Sequence, residues 1–115
     1  GGVLESSSAA LAELKWELGI PAGTVPKEIH IPKIGGSARP ELKQWIFDIR
    51  LPNGQSTEVV VMLHEADAEH AFPHWEAGIP KLNPNGSKYK TDDFGPRRDQ
   101  YVYHMQNKIR IFFKP

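Results

Sequence analysis

The chain has 115 residues, no cysteine and a formal net charge of zero. This length suits one domain with one hydrophobic core, and 39% apolar with 24% charged residues is typical of a globular rather than a disordered chain. The lack of cysteine excludes a disulfide framework, thiolate chemistry and thiolate metal sites. No apolar run approaches the roughly 20 residues of a membrane span, and the first residues lack the basic-then-apolar layout of a signal peptide. We therefore expect a soluble chain.

The first predicted element is a helix that begins after the serines at positions 6–8, any of which can cap a first turn. Gly19 supplies a stop signal, and Pro21 prevents continuation. The apolar stripe of this helix consists of Leu11, Leu14 and Leu18, with Trp16 near its edge. We expect the helix to pack on a sheet. Residues 1–7 are interpreted as a tag or linker remnant, and residues 8–115 as a single α+β domain.

Two stretches of alternating residues predict a hairpin in the middle of the chain. Residues 21–40, which precede it, are rich in Pro and Gly and predict a loop in which only residues 28–31 look extended. In residues 45–51 and 57–63, β-branched and aromatic side chains alternate on both sides of a Pro-Asn-Gly turn at positions 52–54. Asn-Gly between two such runs is a strong hairpin signal.

A second hairpin is predicted at the end of the chain, with strands at residues 100–104 and 108–113. In its second strand, one face would carry Ile109, Ile111 and Phe113, and the other Arg110 and Phe112. Residues 79–99 between the hairpins contain loop signals at 83–86 and 94–96, and no strand is predicted there. The predicted fold class is therefore α+β, with an N-terminal helix packed on a mostly antiparallel sheet of four to five strands.

The zero net charge conceals two halves of opposite sign. Residues 1–78 carry six Lys and Arg against eleven Asp and Glu, a balance of −5, whereas residues 79–115 carry eight against three, a balance of +5. Aromatic residues interleave the basic half, as a phosphate-binding face with base-stacking platforms requires. Alternatively, its positive charge pairs with the acidic half in the fold. The residues concerned are Lys81, Lys88, Lys90, Arg97, Arg98, Lys108, Arg110 and Lys114, with Tyr89, Phe94, Tyr101 and Tyr103 among them.

Residues 64–78 hold three of the five histidines, interleaved with carboxylates. Imidazole is the side chain that titrates nearest neutral pH, so its crowding against carboxylates suits a metal site or a proton-transfer group. The candidate metal ligands are His64, Glu65, Asp67, Glu69, His70 and His74. Two features separate these imidazoles: His64 and His70 are six residues apart, and a proline precedes His74. The spacing is also not that of zinc proteases. We therefore predict neither a metal nor a cofactor.

The second hypothesis for this segment is acid/base chemistry at His74. This histidine follows Phe72-Pro73 and precedes Trp75, so a rigid turn and two aromatic rings would hold the imidazole on a semi-buried platform. The third hypothesis is structural, with residues 64–70 as a solvated helical turn and the histidines as surface or core residues. Under this last hypothesis, Phe72 and Trp75 belong to the core.

Four features together resemble the toxin module at the end of bacterial polymorphic toxins: a Ser- and Ala-rich lead-in, a small cysteine-free α+β domain, the central segment Pro73-His74-Trp75, and a basic, Tyr-rich C-terminal hairpin. The resemblance covers residues 8–115 and concerns architecture. Such modules occur in contact-dependent inhibition proteins, secreted effectors and bacteriocins, and many are metal-independent RNases with the barnase or colicin-RNase fold. The resemblance implies secretion as part of a larger protein, action on tRNA or rRNA in the cytoplasm of a target cell, and an immunity protein as partner.

The predicted function is accordingly metal-independent endonucleolytic cleavage of RNA. His74 and His104 would exchange protons, while Arg97, Arg98 and Lys88 would hold and neutralise the scissile phosphate. The further substrate-binding candidates are Lys90, Arg110, Tyr101 and Tyr103, of which the tyrosines would stack a base or orient the phosphate. The alternative is a non-catalytic binding or translocation module of a larger secreted protein, which would act through an exposed hairpin edge.

Overall fold

The computed structural model describes residues 2–50, 54, 56–82, 89–94 and 107–115. Helix α1 spans Ser7–Leu18, as the sequence predicts. The hydroxyl of Ser6 accepts a hydrogen bond from the backbone N–H of Ala9 at 3.1 Å and so caps the first turn. At the other end, Gly19 adopts a left-handed conformation with φ of 71°, which is accessible to a residue without a Cβ.

Eight strands follow the helix in the described parts of the chain. They are β1 (Glu28–His30), β2 (Lys33–Ile34), β3 (Ser37–Ala38), β4 (Gln44–Arg50), β5 (Ser56–His64), β6 (His74–Leu82), β7 (Tyr89–Asp92) and β8 (Ile109–Phe112). The main sheet is antiparallel with the order β1-β4-β5-β6-β7, and β8 also pairs with β6, while β2 and β3 form a separate small hairpin. The α+β prediction is confirmed, with six described strands in the main sheet rather than four to five.

Helix α1 covers one face of the main sheet and builds the hydrophobic core with it. Its buried residues Ala10, Leu14 and Leu18 face the strands. The strand residues of this core are Phe47, Ile49, Val59, Val61, Trp75, Ala77 and Ile109, with Phe113 directly after β8. The indole N–H of Trp75 donates to the hydroxyl of Ser7 at 3.0 Å, which ties the central strand to the start of the helix. Trp16 is 76% exposed and therefore does not extend the buried stripe.

The predicted central hairpin is confirmed by β4 and β5, which pair in continuous antiparallel register from Gln44 opposite Met62 to Arg50 opposite Ser56. The short extended segment predicted at residues 28–31 is β1, which pairs with β4 at the edge of the sheet. Strand β8 contains most of the second strand predicted for the C-terminal hairpin. Residues 100–104, its predicted partner, lie outside the described residues.

Two local predictions are wrong. Residues 65–73 contain no helix, because Asp67 accepts the backbone N–H groups of Glu69 and His70 and so stabilises a turn. Residues 79–99 are not all loop, since β6 runs to Leu82 and pairs there with β7. Pro80 argues against a strand interior because it cannot donate a backbone hydrogen bond. It is tolerated because pairing with β5 ends at Gly78.

Residues before α1 also contact the sheet. Leu4 forms a parallel bridge beside β8, in which its N–H donates to the carbonyl of Phe112 at 2.8 Å and its carbonyl accepts the N–H of Lys114 at 2.9 Å. The packed structure therefore includes residues that precede the helix. In the described part of the chain, no helix has the length and apolar character that crossing a membrane requires.

Candidate functional site

The face of the main sheet opposite α1 carries a group of polar side chains. Successive residues of a strand point to opposite faces, so His74 and Glu76 in β6 point away from the helix that covers Trp75. In the register of the sheet, His64 lies directly opposite His74, and Arg110 lies directly opposite Glu76. Because directly paired residues of neighbouring strands share a face, these four side chains meet on the helix-free side of the sheet.

The carboxylate of Glu76 is the centre of this group, and its side chain is only 4% exposed. Nε of Arg110 donates to Oε1 at 2.9 Å, and Nε2 of His74 forms a hydrogen bond with the same oxygen at 3.2 Å. The hydroxyl of Thr91 donates to Oε2. Nε2 of His64 lies 3.2 Å from Oε2, which is an ion-pair distance, but it is not aligned for a hydrogen bond. The strands β5, β6, β7 and β8 each direct one group at this carboxylate.

These neighbours determine the charge of Glu76. Burial on its own would raise the pKa of this carboxyl, but the imidazoles of His64 and His74 and the hydroxyl of Thr91 outweigh burial and hold the pKa well below its ordinary value. Glu76 is therefore ionised at neutral pH. A carboxylate of this kind is a poor proton acceptor, and it instead stabilises positive charge on the groups beside it.

The imidazoles of this segment come together, and the expectation that they are dispersed is wrong. The rings of His64 and His74 are parallel within 1° with centroids 5.0 Å apart, and the ring of His70 lies 5.1 Å from that of His74. The reason is the strand pairing, because the end of β5 lies directly opposite the start of β6. Spacing along the chain does not reveal such a cross-strand contact.

The two paired histidines differ in their access to solvent. His74 is 2% exposed, with its ring packed 4.8 Å from that of Phe112, so it lies deeper than the semi-buried platform that the sequence suggests. The side chain of His64 is 40% exposed. Between them, the turn at Asp67 reverses the chain, and the N–H of Asp67 donates to the carbonyl of His70 at 2.8 Å. His64 is therefore the imidazole of this pair that a ligand can reach.

A groove of about 670 Å³ opens on the same face, and His64, Glu76 and Thr91 line its polar part. One wall is apolar and consists of Pro32, Ile34, Leu42 and Met62. The lysines on the groove are Lys81, Lys90 and Lys108, and the other carboxylates on it are Glu65, Asp67 and Asp92. The groove thus combines an apolar wall with a polar part in which lysines lie among carboxylates and a histidine, which suits a polar ligand with a less polar portion.

The structure places three of the predicted site residues around this groove or beneath it. His74 and Arg110 both contact Glu76, and Lys90 lines the groove. Phe94, predicted as a stacking platform, is 3% exposed and belongs to the core, so it is not available to stack a base. The other predicted site residues lie outside the described residues; they are Lys88, Arg97, Arg98, Tyr101, Tyr103 and His104.

Sequence reasoning names His64 only as a candidate metal ligand, and it misses Glu76 and Thr91. A signal for Glu76 exists, because Trp75, Ala77 and Ile79 alternate with His74, Glu76 and Gly78, as in a strand with one buried and one polar face. The sequence predicts a rigid turn at residues 72–73 that presents His74, and this prediction conceals the strand. The contacts of His64 and Thr91 with Glu76 depend on strand pairing, and no local pattern indicates them.

Comparison of the chain with protein-family models, with curated proteins and with solved structures gives no significant match. Support for a function therefore comes from the geometry and electrostatics of this face of the sheet.

Proposed function

We propose that this chain is a ribonuclease toxin domain that cleaves RNA without a metal ion, at the site formed by His64, Glu76 and Arg110. One observation carries the proposal: a solvent-accessible imidazole on an open groove lies beside a buried, ionised carboxylate that also holds a guanidinium. Cleavage of RNA by its own 2′-hydroxyl requires a proton acceptor, a proton donor and positive charge near the phosphate. This group supplies the first and the third of these.

His64 is the proton acceptor in this proposal. Its Nε2 faces Glu76, so Nδ1 is the ring nitrogen that takes the proton of the 2′-hydroxyl. The imidazolium that results is stabilised by the carboxylate 3.2 Å away, as in other pairs of histidine with a buried carboxylate. His74, which is buried, hydrogen-bonds to Glu76 and acts as a positioning residue rather than touching the substrate.

The reaction is an internal transfer at phosphorus. The 2′-oxygen forms a bond to phosphorus as it loses its proton to His64, and the bond from phosphorus to the 5′-oxygen breaks. The electron pair of the broken bond goes to the 5′-oxygen, which takes up a proton, so the products are a 2′,3′-cyclic phosphate and a 5′-hydroxyl. The sequence prediction has His74 exchange protons with His104, which lies outside the described residues.

The rest of the groove accounts for binding of a nucleotide. Arg110 lies beside Glu76 and would contact the scissile phosphate, while Lys90 and Lys108 line the groove and would contact neighbouring phosphates. The apolar wall that contains Leu42 and Met62 offers contact area to a ribose or a base. The toxin resemblance implies an immunity protein as partner. Such a protein would block cleavage by covering this groove.

The test is cleavage of single-stranded RNA by the purified chain in EDTA, with three variants. We expect His64→Asn and Arg110→Gln each to lower the rate by about 100-fold or more, because general acid/base and charge contributions are of this size. His30→Asn is the matched control, since His30 lies on β1 at the far edge of the sheet, and it should cleave like the wild type. Expression of the wild-type chain in bacteria should arrest growth and degrade RNA, whereas expression of His64→Asn should not.

Two results contradict the proposal. The first is undiminished cleavage by folded His64→Asn protein, which would place the chemistry elsewhere. The second is the absence of both cleavage and toxicity in the wild-type chain, which would favour the non-catalytic binding module. Circular dichroism of every variant establishes that a loss of activity is not a loss of fold.

A further inference from the structure

Three side chains of the site converge as the ligands of a metal ion do. One nitrogen of His64, one of His74 and one carboxylate oxygen of Glu76 all lie within 4.8 Å of one another. Nε2 of each histidine is 3.2 Å from an oxygen of Glu76. These are different oxygens, Oε2 for His64 and Oε1 for His74. Ligand atoms bound to tetrahedral zinc at about 2.0–2.1 Å are separated by about 3.3 Å, so each separation has the length of one edge of a zinc coordination shell. Binding through a single carboxylate oxygen then requires one imidazole to shift.

The strand pairing holds two of these ligands firmly and leaves the third adjustable. His74 and Glu76 are two residues apart on β6, and both are buried. His64 lies opposite His74 at the end of β5, and its ring is parallel to that of His74. A metal ion lies in the plane of each imidazole that binds it, so His64 must turn about its side-chain bonds to complete the site. Its partial exposure leaves space for that rotation.

A second observation also points to a ligand. Two buried side-chain nitrogen atoms among the described residues have no hydrogen-bond partner, Nε2 of His64 and Nδ1 of His74. Buried polar atoms are nearly always paired, and an unpaired one calls for a partner that the described residues do not supply. Coordination of a metal ion by Nε2 of His64 provides that partner.

The surroundings of Glu76 are those that metal-binding carboxylates have. Thr91 donates to one of its oxygens, which helps to fix the orientation of the carboxylate. Two histidines and one glutamate, with a fourth position open to a groove, form a ligand set that zinc accepts. Magnesium and calcium are less suited, since they prefer oxygen ligands alone.

We propose that His64, His74 and Glu76 bind one zinc ion, with its fourth position open to the groove. The ion competes with the guanidinium of Arg110, because both bring positive charge to the same carboxylate. The zinc ion also binds the imidazole of His64, which takes the proton in RNA cleavage. The zinc-bound chain is therefore inactive towards RNA. The binding itself does not depend on ribonuclease activity.

Zinc and cobalt titrations of the EDTA-treated, desalted chain test this proposal. Calorimetry with Zn²⁺ should give one ion per chain, and Co²⁺ should develop the intense visible absorption of a four-coordinate ion. We expect His64→Asn and Glu76→Gln to weaken zinc binding by at least tenfold, because each removes a ligand. Arg110→Gln should strengthen it severalfold, because the competing cation is gone, although the same substitution lowers RNA cleavage under the proposed function.

The control variants are His30→Asn, on the edge strand, and His70→Asn, whose ring is next to that of His74. Both should bind zinc like the wild type. Three results would overturn the assignment. The first is no saturable binding of zinc, and the second is equal binding by every variant. The third is a loss of binding with His70→Asn but not with His64→Asn. Zinc binding by a chain that does not cleave RNA would support the metal site and contradict only the proposed ribonuclease activity.

Discussion

At the scale of single residues, Glu76 determines what the helix-free face of the sheet can do. A buried carboxylate is costly unless its charge is paired and its oxygens are hydrogen-bonded. Arg110 and His74 satisfy one oxygen of Glu76, and Thr91 hydrogen-bonds to the other, beside His64. The same contacts that make its burial tolerable keep the carboxylate ionised, and an ionised carboxylate beside an imidazole is what the proposed chemistry requires.

Glu76 should make the metal-free chain sensitive to acid. The pKa of Glu76 is lower in the folded than in the unfolded chain, where it is about 4.3. Its contribution to stability is therefore complete above about pH 4.3. This contribution is lost as the pH falls from there towards the pKa of the folded chain. The titratable and charged groups that face Glu76 are His64, His74 and Arg110. The free energy of unfolding in urea with EDTA should therefore fall more steeply from pH 5 to pH 3 in the wild type than in Glu76→Gln.

Glu13→Gln is the control for this measurement, because Glu13 is exposed on α1. It should show the same acid sensitivity as the wild type. Equal slopes for Glu76→Gln and the wild type would show that the protonation of this carboxyl is not coupled to folding.

At the residue level, the sequence identified some side chains of this group by their type but not their neighbours. The sequence singled out His74 and Arg110, and both contact Glu76 in the structure. It assigned no role to Glu76 or Thr91. Imidazole and guanidinium are recognisable by type, whereas a glutamate or a threonine becomes part of a site only through the strands beside it.

At the scale of elements, β6 is the strand that assembles the site, and its pairing partner changes along its length. It pairs with β8 at residues 74–77 and with β7 at residues 79–82. Gly78 lies at the change, where a Cβ atom would be 2.4 Å from the carbonyl oxygen of Asp92 and 3.2 Å from Cβ of Lys108. No side chain fits there, and this close approach lets β7 and β8 both reach β6.

Gly78→Ala should therefore disturb the junction of the three strands. The added methyl group meets backbone rather than a flexible side chain, so β7 must shift, and we expect destabilisation of about 1–3 kcal/mol. Because β7 supplies Thr91 to Glu76, RNA cleavage should fall in the folded fraction as well. Urea unfolding and the cleavage assay measure the two effects.

Gly2→Ala is the control for Gly78→Ala, since nothing lies within 4 Å of the Cβ position at Gly2. It should leave both stability and cleavage unchanged. A Gly78→Ala protein as stable and as active as the wild type would contradict this account of the junction.

The elements with local signals were predictable, and those without them were not. Helix α1 has a serine cap, an apolar stripe and a terminal glycine within fourteen positions, and β4 with β5 forms a hairpin around Asn-Gly. Strand β6 contains Gly78 and Pro80, which argue against a strand, and β6 is stabilised by β5, β7 and β8. Its existence is a tertiary effect that single-sequence patterns do not contain.

At the scale of the whole molecule, the two oppositely charged halves of the chain meet on one face. Strands β5 and β6 bring His64 and Glu76 from the acidic half, and β8 brings Arg110 from the basic half. Part of the basic charge is therefore paired, as the electrostatic alternative predicted, with Lys114 also bound to Glu5 at 3.0 Å. The lysines of the groove lie among carboxylates, and Nζ of Lys81 is 4.0 Å from Oδ2 of Asp92.

The central claim is that His64 and Glu76 act in a 2′-hydroxyl-dependent cleavage of RNA. The most direct measurement is end analysis of the products that the purified chain makes in EDTA from an RNA oligonucleotide, and from the same oligonucleotide with 2′-deoxy sugars. We expect 2′,3′-cyclic phosphate and 5′-hydroxyl ends, no cleavage of the deoxy oligonucleotide, and a rate about 100-fold lower for Glu76→Gln. Products with 5′-phosphate ends, or cleavage of the deoxy oligonucleotide at an equal rate, would contradict it.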